Sequence, residues 1–269
     1  MDKFNNIKIA FFDIDGTLNN SKKEITDETI KAINYLNKKG IEIVLCSGRP
    51  NNYLLNIANK ISSINFSISC NGASVFNNKN KESIYSSLIK PEYINILWEY
   101  CNENKLAIIF NAVNERYANV YVNNYKNDMI IINDIKSLKC IDINQLVINF
   151  NHYDEMIKLK EFINSNSNLK IINCSFDYLD KKVYGYHWFD IVNNNVSKGN
   201  AIKTLLSHLN LNKENAICFG DSINDIEMFN ECIIKVAMGN ALDDIKKISD
   251  YTTLTNDNNG ISYFIYKYF

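Results

Sequence analysis

The sequence predicts an α/β fold: a Rossmann-like parallel sheet with a smaller α+β domain inserted into it. Three observations carry that expectation. Short apolar runs of strand length alternate with amphipathic helical segments at both ends of the chain. The rhythm breaks near residue 73 and returns near Asp190. Polar clusters follow the apolar runs, where open α/β sheets bind their ligands.

Ile7–Phe12 reads as a buried first strand, because an unbroken apolar run ends abruptly at Asp13-Ile14-Asp15-Gly16. Thr26 is a natural N-cap, with Asp27 and Glu28 favourable in the first helical turn. Ile30, Ile33 and Leu36 give that helix an apolar face, and Gly40 stops it. Ile41–Cys46 is a second buried strand, ending in Ser47-Gly48-Arg49-Pro50. Pro50 suits the first turn of a helix carrying Leu54, Leu55 and Ile57. Phe66–Cys70 is a third strand. Strand, helix, strand, helix, strand implies right-handed crossovers and a parallel sheet.

Ala73–Ser87 looks like a hairpin around Asn77–Lys81. Helices are expected at Pro91–Asn104 and Tyr153–Asn164. Strands are expected at Leu106–Phe110, Val120–Val122, Gln145–Phe150 and Lys170–Ser175. Ser197 then caps a helix whose Ile202, Leu205, Leu206 and Leu209 follow helical spacing. Ala216–Phe219 and Ile233–Met238 are further strands, and a helix closes the chain. The expected organisation is a discontinuous core, 1–81 and 190–269, with an inserted domain at 82–189.

Composition narrows the function classes. A net charge of -1, from 29 basic and 30 acidic residues, gives no reason to expect nucleic acid or an anionic membrane as partner. The 7 cysteines include no CxxC pair, which fits reduced, buried thiols and a cytoplasmic location. No apolar run approaches the ~20 residues a membrane helix needs. The N-terminal residues do not read as a signal peptide.

Four polar clusters carry the chemistry: Asp13/Asp15/Thr17, Ser47-Gly48-Arg49, Lys198 at a helix start, and Gly220-Asp221-Ser222-Ile223-Asn224-Asp225. With parallel, adjacent strands they would converge on one sheet edge. Three carboxylates supply the hard oxygen ligands that Mg²⁺ prefers. A serine hydroxyl, backbone N–H groups and the Lys198 ammonium suit a phosphate. Together they describe metal-assisted phosphoryl transfer. Taken singly, three of the clusters have a bland reading: an Asp-x-Asp loop start, a Ser-Gly turn, a solvated lysine. Order and number favour function.

In order and spacing the clusters resemble the four motifs of the haloacid dehalogenase superfamily. The insertion, after Asn71-Gly72-Ala73, is similar to its type IIB, Cof-like branch, with a C2-type cap that selects substrate. Trp188-Phe189-Asp190-Ile191 and Val236-Ala237-Met238-Gly239-Asn240-Ala241 also look like that branch's flanking segments. The resemblance implies Asp13 as nucleophile, forming an aspartyl-phosphate, and Asp15 as acid and base. It implies Mg²⁺ held by the Asp13 and Asp221 carboxylates and the Asp15 carbonyl. Ile14, Ser47, Gly48, Lys198 and Asn224 would bind the phosphoryl group, with Thr17 and Asp225 in support.

The expected protein is a Mg²⁺-dependent, monomeric phosphatase acting on a small phosphorylated metabolite, a sugar phosphate or similar phosphomonoester. A phosphomutase on the same fold, a phospho-receiver module and a non-catalytic metabolite-binding protein are the alternatives. Arg116, the only arginine of the inserted domain, argues against a mutase, which would hold a second phosphate. Arg49 reads as a structural ion-pair partner. His152, His187 and His208 share no metal spacing; of these His187, and likewise Arg116, are minor candidates for substrate contact.

Overall fold

The structure is a computed structural model that describes residues 3–113, 115–120, 129–172 and 187–269. It divides into two compact units, one of residues 1–49, 53–85 and 197–269, the other of 50–52 and 86–196.

In the first unit, β1 (Ile9–Phe12), β2 (Glu42–Cys46) and β3 (Ile64–Ser69) come from the start of the chain. β4 (Ser74–Asn77) and β5 (Glu82–Ser86) follow them. β12 (Ala216–Gly220), β13 (Ile234–Ala237) and β14 (Tyr251–Thr252) come from its far end. They form one sheet in the order β14-β13-β12-β1-β2-β3-β4-β5. From β14 to β3 every neighbouring pair is parallel, and β4 turns back antiparallel on β3. Every residue of β1, β3 and β12 is buried, as expected of strands covered on both faces. Parallel pairing puts the carboxyl ends of β1, β2, β3 and β12 on one edge.

The helices form where the caps predict. α1 (Asp27–Lys38) starts at Thr26, whose hydroxyl accepts from the Thr29 N–H, and it packs against α8 (Gly260–Tyr268). α2 (Asn51–Lys60) follows β2, with Pro50 immediately before its first residue rather than within its first turn. α5 (Lys198–His208) starts at Ser197, whose hydroxyl accepts from the Asn200 N–H at 3.0 Å. It packs on β3, β4 and the short α6 (Ile226–Asn230). α7 (Asp243–Ile248) lies between β13 and β14 in the chain.

The second unit has a six-stranded sheet. Its strands are β6 (Ile108–Ala112), β7 (Arg116–Ala118), β8 (Ile130–Ile131), β9 (Ile143–Phe150), β10 (Leu169–Ile172) and β11 (His187–Asn193). They lie in the order β10-β11-β9-β6-β7-β8, antiparallel except for β7 with β8. α3 (Pro91–Glu103) and α4 (Tyr153–Asn166) complete the unit. Leu97, Phe110, Ile148, Phe150, Leu159 and Phe189 belong to its separate apolar core.

Two strand expectations differ from the structure, and a third is met as far as the described residues reach. A strand forms at Arg116–Ala118 and Val120 lies in no strand, while residues 121 and 122 of the expected strand lie outside the described residues. The expected Lys170–Ser175 strand is present over Leu169–Ile172, and residues 173–175 lie outside the described residues. The segment at Asp190 does not resume the parallel rhythm: β11 pairs antiparallel with β9 and β10. Lys198 therefore follows no strand of the first sheet.

Among the described residues six cysteines are free, and Cys174 lies outside them. No described helix is long and apolar enough to cross a membrane.

Candidate active site

β1 aims the first acid. Its ladder runs one residue beyond the strand, where the Asp13 N–H donates to the Phe219 carbonyl at 3.1 Å. Phe12 stacks on Phe219 beneath it, ring centroids 4.9 Å apart. Asp13 is thus fixed beside the end of β12, its side chain only 6% exposed. Lys198, first residue of α5, reaches it from 185 residues along the chain. The ammonium donates to Asp13 Oδ1 at 2.6 Å and to Asp225 Oδ1 at 2.7 Å, fully buried between the two.

Asp225 also organises the loop that carries the third acid. Its Oδ2 accepts from the Asp221 and Ser222 N–H groups at 3.0 and 3.1 Å. Thr17 donates its hydroxyl to Asp221 Oδ1 at 2.9 Å. Gly16 lets the two loops meet: its φ is +85°, and a Cβ there would sit 2.8 Å from the Asp221 Cγ. Asn224 Oδ1 accepts from the Ser222 hydroxyl at 2.6 Å.

Charge explains what this edge can hold. Burial, and next the Asp225 carboxylate, push the Asp13 carboxyl well above its usual range, with Lys198 opposing. Burial and Asp225 likewise push Asp221 up to about 6. Burial disfavours the Lys198 ammonium, yet Asp13 and Asp225 more than offset this and hold it well above its ordinary value. The cluster is therefore short of positive charge. Asp13, Asp221 and Asp225 each offer an oxygen within 4.8 Å of the others, a hard-oxygen set suited to a divalent cation. Asp225 is the poorest ligand of the three, since Lys198 and two backbone N–H groups occupy its oxygens.

The loop after β2 lies on the same edge. Ser47 is buried, and its hydroxyl accepts from the Arg49 N–H at 3.2 Å. Asn71, after β3, packs its side chain against Gly48, where a Cβ would meet the amide oxygen at 2.8 Å. Asn71 is 2% exposed with a φ of 57°, and its N–H donates to the Ser47 carbonyl at 3.1 Å. Sequence reasoning passed over Asn71; the signal was an Asn-Gly pair directly after a buried strand. Asp15, by contrast, is half exposed, and Arg49 grips both of its oxygens at 2.9 and 3.0 Å. The side chain of Ile14 belongs to the apolar core, so only its backbone is available to a ligand.

A family model described as haloacid dehalogenase-like hydrolase matches residues 10–265. The chain belongs to this family. Among known proteins, this haloacid dehalogenase-like hydrolase is similar to a 5-amino-6-(5-phospho-D-ribitylamino)uracil phosphatase of Bacillus subtilis. The two are 28% identical, over 95% of this chain and 93% of the relative. A haloacid dehalogenase-like hydrolase from Bacteroides thetaiotaomicron superposes with a TM-score of 0.87 at 26% identity, covering 98% of this chain and 100% of that one. A subclass IIB sugar phosphatase superposes at 0.76 with 25% identity, covering 97% and 98%. Family, fold and relatives agree on a phosphatase.

Neither minor candidate lies in the acidic cluster. His187 opens β11, its ring stacked on Phe150 at 5.8 Å between centroids. Arg116, on β7, donates from Nε to Asn111 Oδ1 at 2.9 Å, and Asn111 in turn donates to Gln145 Oε1 at 2.7 Å. His152 precedes α4, and His208 lies exposed at the end of α5.

Proposed function

We propose that the chain hydrolyses a small phosphorylated metabolite, a sugar phosphate or similar phosphomonoester, through an aspartyl-phosphate. The observation that carries this reading is Lys198, buried and bonded at once to Asp13 and Asp225 on the edge where Asp221 also lies. An Asp13 oxygen attacks phosphorus, and the bond from phosphorus to the leaving oxygen breaks as Asp15 gives that oxygen a proton. Asp15 then takes a proton from water, which attacks phosphorus. The Asp13–phosphorus bond breaks, and inorganic phosphate leaves.

Lys198, Ser47, the backbone of Ile14 and Gly48, and Asn224 bind the phosphoryl oxygens. Asp225 holds Lys198 and the Asp221 loop, and Thr17 orients Asp221. The Asp13 and Asp221 carboxylates and the Asp15 carbonyl would hold Mg²⁺, which would supply Lewis-acid charge neutralisation at the phosphate. The second unit, with its own core, is read as the substrate-selecting cap. The substrate class is supported by the ribityl phosphate compound and the sugar phosphates named for the relatives.

Phosphate release from a panel of sugar phosphates, pyridoxal phosphate and nucleotides, with Mg²⁺ or with EDTA, tests this. Turnover is expected with Mg²⁺ only, and Asp13→Asn is expected to abolish it while leaving the circular dichroism unchanged. A folded Asp13→Asn protein that retains activity would overturn the assignment.

A further inference from the structure

Asp15 is exposed, two residues beyond a buried nucleophile, in a loop bent at Gly16. A lone aspartate there would sample several rotamers. The structure instead holds it at the head of a chain of contacts. Arg49 donates from Nε to Asp15 Oδ2 at 2.9 Å and from Nη2 to Oδ1 at 3.0 Å. The guanidinium lies over the Tyr53 ring, 5.3 Å from its centroid. The Tyr53 hydroxyl accepts from Asn19 Nδ2 at 3.5 Å, and the Asn19 N–H donates to the carbonyl of Ile14, the residue before Asp15, at 2.8 Å. The arginine is itself anchored. Its N–H donates to Ser47 Oγ at 3.2 Å, and its carbonyl accepts from the Cys70 N–H at 2.9 Å.

Stability does not account for this arrangement. The side chains of Arg49 and Asp15 are 34% and 46% exposed, and an ion pair so exposed adds little to stability. Geometry does. A two-point fork fixes the plane of a carboxylate, which a single ammonium cannot do. The carboxylate oxygens keep outward lone pairs for a proton. An acid that must serve the leaving oxygen, and later a water in the same place, requires such fixing.

We propose that Arg49, supported by Tyr53, is the positioning residue that aims Asp15 for proton transfer. The inference rests on the reading of Asp15 as general acid and base.

The test compares kcat/KM for two esters, 4-nitrophenyl phosphate and glycerol 3-phosphate. A nitrophenolate departs without a proton, whereas an alkoxide needs one. Positioned acids contribute about 100-fold or more, so Arg49→Met is expected to lose at least ~10-fold more on the glycerol ester than on the nitrophenyl ester. The loss should fall on kcat, with KM little changed, and Arg49→Lys should not restore it. Asp15→Asn should discriminate between the esters in the same sense. The double variant should be no worse than Asp15→Asn, because the two side chains act as a unit.

If Asp15→Asn discriminates and Arg49→Met lowers both esters alike, or neither, the positioning role is overturned. Equal losses on both esters would instead mark disturbance of the neighbouring Ser47-Gly48 loop. If Asp15→Asn itself does not discriminate, the acid role of Asp15 falls, and the positioning role with it.

Discussion

At the scale of single residues, the site is defined by a shortage of positive charge. Asp221 titrates at about 6 against an ordinary 3.8, so between these values the folded protein binds more protons than the unfolded chain. Its contribution to stability is therefore lost as pH rises from about 4 through about 6. In EDTA the melting temperature is expected to fall across that window. Added Mg²⁺ should raise it more at pH 7.5 than at pH 5, where protonated Asp221 is a poor ligand. Equal Mg²⁺ shifts at the two pH values would contradict this. The acids, Lys198 and Ser47 were legible because each sits in a short contiguous signature beside a strand or a cap. The partner of Arg49 was not. Its grip on Asp15 spans 34 residues of chain, and no local pattern encodes it.

At the scale of elements, caps and periodicity located the helices well. Thr26, Pro91 and Ser197 begin α1, α3 and α5 as their chemistry predicts. Ser197→Ala removes the hydroxyl that accepts from the Asn200 N–H and is expected to cost about 1 kcal/mol, measured by urea unfolding. An unchanged midpoint would show that this cap contributes nothing. Strands of the second unit were harder to read. The α/β rhythm reads as returning near Asp190, yet the strand there, β11, pairs antiparallel with β9 and β10. Pairing partner, not composition, separates a parallel from an antiparallel strand, and a single sequence does not record it.

At the scale of the whole molecule, the first unit is closed by its far end. Phe264 of α8 meets Phe219 edge-on at 5.4 Å and Tyr251 at 5.5 Å, between ring centroids, joining the last helix to β12 and β14. Phe264→Ala is expected to cost about 3–5 kcal/mol, read from the urea midpoint. A loss below 1 kcal/mol would mean that α8 is peripheral. The break at residue 73 made the two-part organisation legible in advance. The return point was not, because the chain passes through one more strand of the second sheet before Ser197.

The central place of β1 has a consequence for how the protein is born. One flank, β2, arrives within a few dozen residues, but the other, β12, waits until residue 216 has been synthesised. Asp13 and Lys198 are 185 residues apart. At ribosomal speeds of roughly 5–20 residues per second, a nascent chain carries the Asp13 carboxyl for roughly 10–40 seconds before the balancing ammonium exists. Until then β1 is an open apolar edge, so a trigger for aggregation or a client site for a chaperone on the ribosome belongs to residues 9–12 before any chemistry does.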